Sequence, residues 1–290
     1  MPAAEVAVDA ALVRALLSEQ HPDLADLELT ELANGWDNVL FRLGDELVVR
    51  LPRRQLAVPL VEHEQRWLPE LAPLLPLPIP APVRVGVAGA GFPWPWSICP
   101  WFPGTSALTT PPTDLGETAE SLGAFLRALH RPAPDGAPVN PFRGIPLADR
   151  APRTLESLDH LGGAVDGPAL RSLWDDLAPT PPWAASPVWV HGDTHPGNLV
   201  VEAGRLTAVV DFGDLCSGDP ASDLAVAWML IPAEHRDAFR AAVGAGDDEH
   251  LWTRGRAWAL AIGVSLLAAS ADNPAYAAMA ERTLAAVLSD

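Results

Sequence analysis

The segments VHGDTHPGNL at 190–199 and VDFGD at 210–214 place two carboxylates and one amide at defined spacings. Asp193 and Asn198 lie five positions apart, where glycines and a proline predict a tight loop, and Asp211 ends the next predicted strand. Mg²⁺ takes oxygen ligands from one or two protein groups and leaves its other positions to water and phosphate oxygens. We therefore predict that Asn198 and Asp211 bind Mg²⁺. Asp193 remains free to orient or deprotonate an acceptor hydroxyl in a phosphoryl transfer.

These residues also resemble a known family. In order they give H-G-D-x-x-x-x-N at 191–198 and D-F-G at 211–213, which looks like the aminoglycoside phosphotransferase family, a small-molecule branch of the protein-kinase-like fold. The later segment GDPASDLA at 218–225 is similar to that family's next helix. The resemblance implies a role for each residue: catalytic base for Asp193, magnesium ligands for Asn198 and Asp211, and a loop-holding residue in His191.

The resemblance covers nearly the whole chain and implies a fold. That fold is α+β and bilobal, with a small antiparallel-sheet N-lobe and a mainly helical C-lobe. We expect a nucleotide-binding lobe over residues 1–104, ending in a hinge, and a helical lobe over residues 105–290 that holds the catalytic loop and the substrate cleft. A protein substrate is disfavoured, because the segment 211–220 is too short to hold an activation loop before the next helix.

Hydrophobic periodicity and turn residues predict the individual elements. Strands are expected over 27–33, 39–43, 46–51, 82–87, 96–102, 188–191, 199–201 and 206–211. Helices are expected over 10–20, 60–75, 115–129, 154–161, 168–177, 219–230, 233–243, 248–270 and 274–288. Prolines confine the 96–102 strand to a sheet edge or a linker, and five prolines in 131–149 predict a connecting loop.

The third strand lacks the lysine that contacts the ATP phosphates in protein kinases, because the chain contains no lysine. Arg50 stands in the candidate position, and its guanidinium can bind phosphate or carboxylate through two parallel hydrogen bonds. Glu64 in the following helix is the predicted partner of Arg50, with Glu62 as the alternative. Only one of them can reach Arg50, since positions two apart on a helix face different directions. The alternative is that Arg50 is a strand residue that faces water and binds no phosphate.

Other features of the first lobe match the resemblance by pattern. The turn at 34–38, with Asn34 and Gly35, lies where a phosphate-covering loop is expected, although it lacks the repeated glycines of protein kinases. Arg53 and Arg54 are further candidates for phosphate contacts. The segment 97–104 resembles the hinge that binds adenine through backbone groups, which places the adenine near Cys99 and Trp101.

Composition excludes several classes of partner. The formal net charge of −18 disfavours nucleic acid and anionic membranes. The absence of lysine excludes a Schiff-base lysine and a Walker A loop. Two cysteines suggest no disulfide framework, the N-terminus has no basic leader before an apolar run, and the apolar segment 257–271 is shorter than the roughly 20 residues of a membrane helix. We predict a cytoplasmic protein without a membrane anchor.

These features predict an enzyme that moves the γ-phosphoryl group of ATP, with Mg²⁺, to a hydroxyl of a small molecule. The resemblance implies an aminoglycoside or other antibiotic as the acceptor and antibiotic resistance as the role, and the negative net charge favours a cationic acceptor. The acids that would line the cleft are Asp159, Asp175, Asp176, Asp214, Asp247, Asp248 and Glu249. A kinase of a choline, homoserine or sugar type and a catalytically weak nucleotide-binding relative remain as alternatives.

A zinc hydrolase is a further alternative, because His191 and His195 flank Asp193. That site needs a third ligand and usually places such histidines on one helix face, which Gly192 and Pro196 disfavour. Three other aspartates are expected to have different roles. Asp219 is expected to cap a helix N-terminus, and Asp223 to anchor the catalytic loop. Asp214 is expected either to contact the substrate or to cap a turn.

Overall fold

The structure is a computed structural model that describes residues 3–35, 37–244 and 248–290, and only the backbone of residues 33, 34 and 164. Trp36 of the predicted turn and Asp247 of the acidic set lie outside the described residues. The chain divides into two compact units: Met1–Leu74 with Pro78–Pro103, and Leu75–Leu77 with Gly104–Asp290.

The first unit is built on an antiparallel sheet of strand order β1-β2-β3-β5-β4. Its strands are β1 (Leu29–Asn34), β2 (Asn38–Leu43), β3 (Leu47–Pro52), β4 (Arg84–Gly86) and β5 (Trp96–Pro100). Its helices are α1 (Ala10–Gln20) and α2 (Val58–Leu71), with short 3-10 helices at Pro22–Leu24, Gln55–Ala57 and Ala72–Leu74.

The apolar core of this unit lies on one face of the sheet. Successive strand residues point to opposite faces, so Phe41 of β2 and its cross-strand partner Val49 of β3 are buried together against α1. The next residue, Arg50, therefore points to the opposite face, where α2 contributes Glu64. The alternation thus places a charged residue on the face that does not carry the α1 core.

Strand β5 lies inside the sheet, between β3 and β4, so the prediction that its prolines confine it to an edge is wrong. Pro95 precedes the strand and Pro100 is its last residue. The backbone N–H groups of residues 96–99 therefore remain available to neighbouring strands, and the short strand β4 takes the edge.

The second unit is mainly helical. Its helices are α3 (Leu115–Leu129), α4 (Leu147–Leu161), α5 (Gly167–Leu177), α6 (Val226–Met229), α7 (Ala233–Val243), α8 (Leu251–Ala269) and α9 (Pro274–Leu288), with 3-10 helices at Gly162–Ala164, Pro196–Asn198 and Pro220–Ala225. Its strands are β6 (Thr105–Ser106), β7 (Val188–Val190), β8 (Leu199–Glu202), β9 (Arg205–Val209) and β10 (Cys216–Gly218), paired as β6-β8-β9 and β10-β7. An antiparallel sheet in one unit and helices in the other confirm the predicted α+β class.

Two helix predictions in this unit need correction. Helix α4 begins at Leu147 rather than at 154. Pro152 lies inside the helix, where it removes one backbone hydrogen bond without ending the helix. The helix predicted over 219–230 is a 3-10 helix at Pro220–Ala225 followed by the single turn α6. Every residue of Pro220–Ala225 is buried, so tertiary packing overrides the helical period there.

Helix α8 is largely buried against α4, α9 and the 3-10 helix at Pro220–Ala225. It contains the apolar segment 257–271 up to Ala269. In the part of the chain that the structure describes, no helix combines the length and the apolar character needed to cross a bilayer.

Candidate active site

The candidate catalytic loop connects β7 to β8 and begins with a sharp turn. Gly192 has φ +86, in the left-handed region that favours glycine. A Cβ at this position would lie 2.5 Å from the backbone oxygen of Asp214. The loop therefore needs glycine here, and this close approach brings the segment around Asp214 next to Asp193.

The buried carboxylate of Asp223 anchors this loop by accepting hydrogen bonds from it. Among the described residues, four groups donate to its fully buried carboxylate: the backbone N–H of His191 and of Gly192 at 2.9 Å each, Thr194 Oγ1 at 3.1 Å and His130 Nε2 at 3.0 Å. Burial alone would raise the pKa of Asp223, but the hydrogen bond and charge of His130 and the N–H of Gly192 lower it overall. The expected anchoring role matches this geometry.

His191 contacts the backbone on two sides of the candidate catalytic loop. Its Nδ1 accepts from the backbone N–H of Asp193 at 3.2 Å, and its Nε2 donates to the backbone oxygen of Val210 at 3.1 Å. Its ring packs on Phe212, 4.4 Å between centroids. Both ring nitrogens are occupied by backbone groups, so His191 does not offer the metal ligand that the zinc alternative requires. Among the described residues, no group of three or more His, Cys, Asp or Glu side chains is arranged to hold a metal.

The Asp193 carboxylate is held on both oxygens yet remains accessible. Arg143 Nη2 lies 3.1 Å from Oδ1, while His195 Nε2 and Asn198 Nδ2 lie 3.3 and 3.2 Å from Oδ2. Burial opposes ionisation, but the charge and hydrogen bond of His195 and the charge of Arg143 lower the pKa of Asp193 well below its usual range. The side chain is 29% exposed. Asp193 is therefore an oriented carboxylate that an incoming hydroxyl can reach.

His195 is fixed in the orientation that faces Asp193. Its Nδ1 accepts from the backbone N–H of Gly197 at 3.0 Å, so the neutral ring carries its proton on Nε2, toward the carboxylate. Its ring meets the edge of Tyr276 of α9. Burial lowers the pKa of His195, but the charge and hydrogen bond of Asp193 outweigh it and raise the pKa.

Asn198 and Asp211 provide the oxygens predicted to bind a metal. Asn198 Nδ2 donates to both the backbone oxygen and Oδ2 of Asp193, which turns its amide oxygen away from that residue. Asp211 follows β9 with φ +62, a left-handed conformation that is uncommon outside glycine and typical of functional sites. Burial raises the pKa of Tyr276, and the charges of Asp193 and Asp211 raise it further.

The loop predicted over 131–149 contributes a residue that the sequence interpretation missed. Arg143 Nη2 contacts Asp193 Oδ1 and also lies 3.4 Å from Asp214 Oδ2. Asn140 Nδ2 donates to Asp214 Oδ1 at 2.8 Å. Asp214 thus contacts two side chains of this loop. Burial raises its pKa, which the charge of Arg143 opposes.

Backbone hydrogen bonds tie this loop to β10. The N–H of Ser217 donates to Pro138 at 2.8 Å, and the N–H of Asp219 donates to Gly144 at 2.9 Å. A Cβ on Gly218 would lie 2.2 Å from the backbone oxygen of Gly144, so only glycine allows this approach. The Asn140–Arg143 segment is thereby fixed beside the candidate catalytic loop.

Asp219 and two acids of the proposed cleft, Asp248 and Asp159, pair with arginines. Asp219 caps the 3-10 helix by accepting from Ala221 N and also pairs with buried Arg254, Nε to Oδ2 at 2.7 Å. Asp248 pairs with the same arginine at 2.6 Å. Asp159 pairs with Arg171 at 2.5 Å on the surface. The expected N-cap at Asp219 is therefore present within a buried ion-pair network.

In the first unit, Arg50 Nη1 lies 3.0 Å from Glu64 Oε1. Both side chains are nearly buried, 10% and 4% exposed, so the bland expectation of a strand arginine facing water is wrong. Glu62 is exposed on α2, whereas Glu64 is buried on it. The helix period explains the choice, since α2 directs Glu64 to the buried side.

The turn at 34–38 is held by the two arginines that follow β3. Arg53 Nη1 donates to the backbone oxygen of Gly35 at 2.7 Å, and Arg54 Nη2 pairs with Asp37 Oδ1 at 2.5 Å. The side chain of Asn34 lies outside the described part of the structure. Arg53 and Arg54 therefore fix the candidate phosphate loop through protein contacts.

The candidate hinge residues differ in their surroundings. Cys99 is buried in β5, and burial raises the pKa of its thiol to about 12, with the Arg50 charge acting in the opposite direction. Trp101 donates its backbone N–H to Glu46 at 2.7 Å, and Arg42 stacks on its ring at 4.3 Å. The N–H of Trp101 is thus engaged within the sheet.

Comparison with known proteins identifies relatives of this chain. A family model described as "Phosphotransferase enzyme family" matches residues 28–258. The aminoglycoside 3'-phosphotransferase of Escherichia coli is 29% identical over 122 residues, 41% of this chain and 45% of that protein. The Salmonella typhimurium protein of the same name is 27% identical over 122 residues, with the same shares. The chain spans about half the length of the curated relatives it matches.

Solved structures share the fold. The GDP and kanamycin complex of APH(2")-IIia superposes with a TM-score of 0.71 at 20% identity, over 93% of this chain and 96% of that one. Macrolide 2'-phosphotransferase MphH from Brachybacterium faecium gives 0.63 at 24% identity, over 96% and 97%. The family match covers most of the chain and includes the candidate catalytic loop. The chain therefore belongs to the phosphotransferase enzyme family.

Proposed function

We propose that this protein transfers the γ-phosphoryl group of ATP, with Mg²⁺, to a hydroxyl of a small molecule, and that the acceptor is an antibiotic of the aminoglycoside or macrolide type. One observation carries the reaction class: a carboxylate of Asp193 that is 29% exposed and is held by Arg143, His195 and the amide nitrogen of Asn198. The acceptor class is supported by the names of the curated relatives and by kanamycin in a structural neighbour.

Asp193 acts on the acceptor hydroxyl in this proposal. An ionised carboxylate accepts a hydrogen bond from the hydroxyl and orients its oxygen for in-line attack. Because the transition state of phosphoryl transfer is loose, orientation matters more than early removal of the proton. Arg143, His195 and Asn198 fix the carboxylate, so the hydroxyl meets one orientation rather than many.

The side-chain oxygens of Asn198 and Asp211 are of the kind that Mg²⁺ binds. Asn198 directs its amide oxygen away from Asp193, and Asp211 exposes its carboxylate. Hard oxygen ligands of this kind, one amide and one carboxylate, suit Mg²⁺ and leave positions for phosphate oxygens. When bound, the ion would neutralise charge on the phosphate groups.

We expect Arg50→Ala to lower kcat/KM for ATP by about 10- to 100-fold, the loss typical of a charge-assisted phosphate contact. The proposal assigns the nucleotide phosphates to the guanidinium that Glu64 holds. Arg50→Lys keeps the charge and should retain more activity. The control is Arg66→Ala, which removes the same charge from an exposed position of α2. Steady-state kinetics with varied ATP decide it, and a kcat/KM for Arg50→Ala within twofold of wild type would remove Arg50 from the site.

The reaction is tested by nucleoside diphosphate release, ADP from ATP or GDP from GTP, with and without Mg²⁺, across aminoglycosides, macrolides, choline, homoserine and simple sugars. We expect turnover with at least one antibiotic, and none when Mg²⁺ is withheld. Mass spectrometry of the product should show the added phosphate. Turnover confined to choline, homoserine or sugars would replace the antibiotic by a metabolite. ADP release with none of these acceptors would reject the proposed reaction.

A further inference from the structure

Arg143 brings a cation of the protein itself against the candidate catalytic carboxylate. Its Nη2 lies between Asp193 Oδ1 at 3.1 Å and Asp214 Oδ2 at 3.4 Å. The side chain is only 18% exposed. The two carboxylates next to the reacting position are therefore already in contact with a positive group.

This arginine is fixed rather than free to swing away. Asn140 holds Asp214 from the same loop, and backbone hydrogen bonds from Ser217 and Asp219 tie the loop to β10. Displacing Arg143 would leave two carboxylates without their cation, which is costly at partly buried sites. A substrate ammonium group would thus have to compete with a preorganised guanidinium.

Further positive charge lies behind Arg143. Arg150 in the first turns of α4 is 3% exposed and donates to Ser265 Oγ at 3.0 Å. Among the residues that the structure describes, no carboxylate contacts Arg150. Burial, followed by the charges of Arg143 and Arg153, lowers the pKa of Arg150 to about 10.

We infer that Arg143 sets the acceptor specificity of the proposed transferase: it favours a reacting hydroxyl flanked by neutral groups and disfavours one flanked by ammonium groups. The inference rests on the proposed function, because it assumes that Asp193 binds the acceptor hydroxyl. A hydroxyl bonded to Asp193 Oδ1 lies within about 6 Å of Arg143 Nη2, from one hydrogen-bond length added to the 3.1 Å contact. An ammonium on the adjacent carbon then meets the like charge of Arg143, which offsets the attraction that the Asp193 and Asp214 carboxylates would otherwise exert on it.

The net charge of the chain predicts the opposite preference, since −18 attracts cations to the protein as a whole. The local contacts reverse that expectation. Asp214, one of the acids expected to receive a cationic substrate, contacts Arg143 and Asn140. Asp248 and Asp159 contact Arg254 and Arg171.

The test compares three forms of one acceptor: kanamycin, N-methylated kanamycin, which keeps its positive charges, and N-acetylated kanamycin, which loses them. The methyl and acetyl forms both add bulk, so their comparison isolates charge. We expect wild-type kcat/KM to be at least about tenfold higher for the acetylated than for the methylated form. A wild-type preference for the methylated form would overturn the inference.

Variants assign the preference to Arg143. Arg143→Ala and Arg143→Gln should each shift the acetyl-to-methyl ratio of kcat/KM by about tenfold or more toward the methylated form. Arg153→Ala is the matched control, because it removes one charge near the site while its guanidinium stacks on Phe142. It should leave the ratio within about threefold of wild type. Equal loss with both acceptors in the Arg143 variants would indicate a purely structural residue and overturn the inference.

Failure of the proposed function gives a different result. No ADP release with any acceptor would reject the reaction, yet calorimetric binding of the methylated and acetylated forms to wild type and to Arg143→Gln still measures the preference. Tighter binding of the acetylated form by wild type, lost in the variant, would support the inference. Equal affinities, or tighter binding of the methylated form by wild type, would overturn it.

Discussion

Replacing Asp193 by asparagine is expected to lower kcat by about 10³-fold, within the range of about 10² to 10⁴ that a positioned acid–base group contributes. The amide introduced by Asp193→Asn has one acceptor oxygen instead of two, and its NH₂ group cannot accept the acceptor hydroxyl proton. Arg143 and His195 donate to the carboxylate on opposite oxygens, so one of them would face the NH₂ group. The variant therefore loses both the charge and the orientation. Steady-state ADP release measures the effect.

Asp214→Asn is the matched control for this prediction. It makes the same change in a neighbouring carboxylate that also contacts Arg143 but holds no acceptor in the proposed reaction. We expect it to lower kcat by less than about tenfold. Nucleotide affinity of Asp193→Asn, measured by calorimetry, should stay within about threefold of wild type and show that the protein is folded. More than one tenth of wild-type kcat in Asp193→Asn would remove Asp193 from its assigned role.

Local sequence signals predicted the turn of the candidate catalytic loop because its contacts are short in sequence. Asp193 contacts His191 two positions away and Asn198 five positions away, and glycine and proline lie in the turn between them. The partnership of Arg50 with Glu64 was also predictable, since a strand followed by a helix of known period limits which glutamate faces back. In each case the chain geometry between the partners is set by one or two regular elements.

Contacts that span irregular segments were not predictable. Arg143 reaches Asp193 across 50 positions, and its loop has no periodicity from which to infer a direction. His130 reaches Asp223 across 93 positions. The 3-10 helix at Pro220–Ala225 was mistaken for a longer helix because its burial, rather than its period, selects the conformation. The sequence around Arg143 does carry a signal, because Pro141, Gly144 and Pro146 restrict the backbone near it. That signal does not identify the residue that Arg143 contacts.

Asp223→Asn is expected to lower the free energy of unfolding by about 3–5 kcal/mol, the cost of breaking a buried charged network. Four donors converge on its carboxylate, and an amide places an NH₂ group against at least one of them. The loss falls on the backbone of the catalytic loop, because two of the donors are the N–H groups of His191 and Gly192. We therefore expect activity to fall together with stability. Urea unfolding, followed by circular dichroism, gives the free energy.

The pH dependence of the free energy of unfolding shows whether the charge of Asp223, rather than its packing, stabilises the protein. The pKa of Asp223 is lowered in the folded protein, so its contribution to stability is fully present above the unfolded pKa of about 3.9 and is lost as the pH falls through the folded value. The difference between wild type and Asp223→Asn should be constant from pH 7 to 5 and shrink below about pH 4. The control is Asp159→Asn, because the Asp159 side chain is 75% exposed in a surface ion pair with Arg171. It should lower the free energy of unfolding by less than about 1 kcal/mol. An equally small loss in Asp223→Asn would show that the loop does not depend on this anchor.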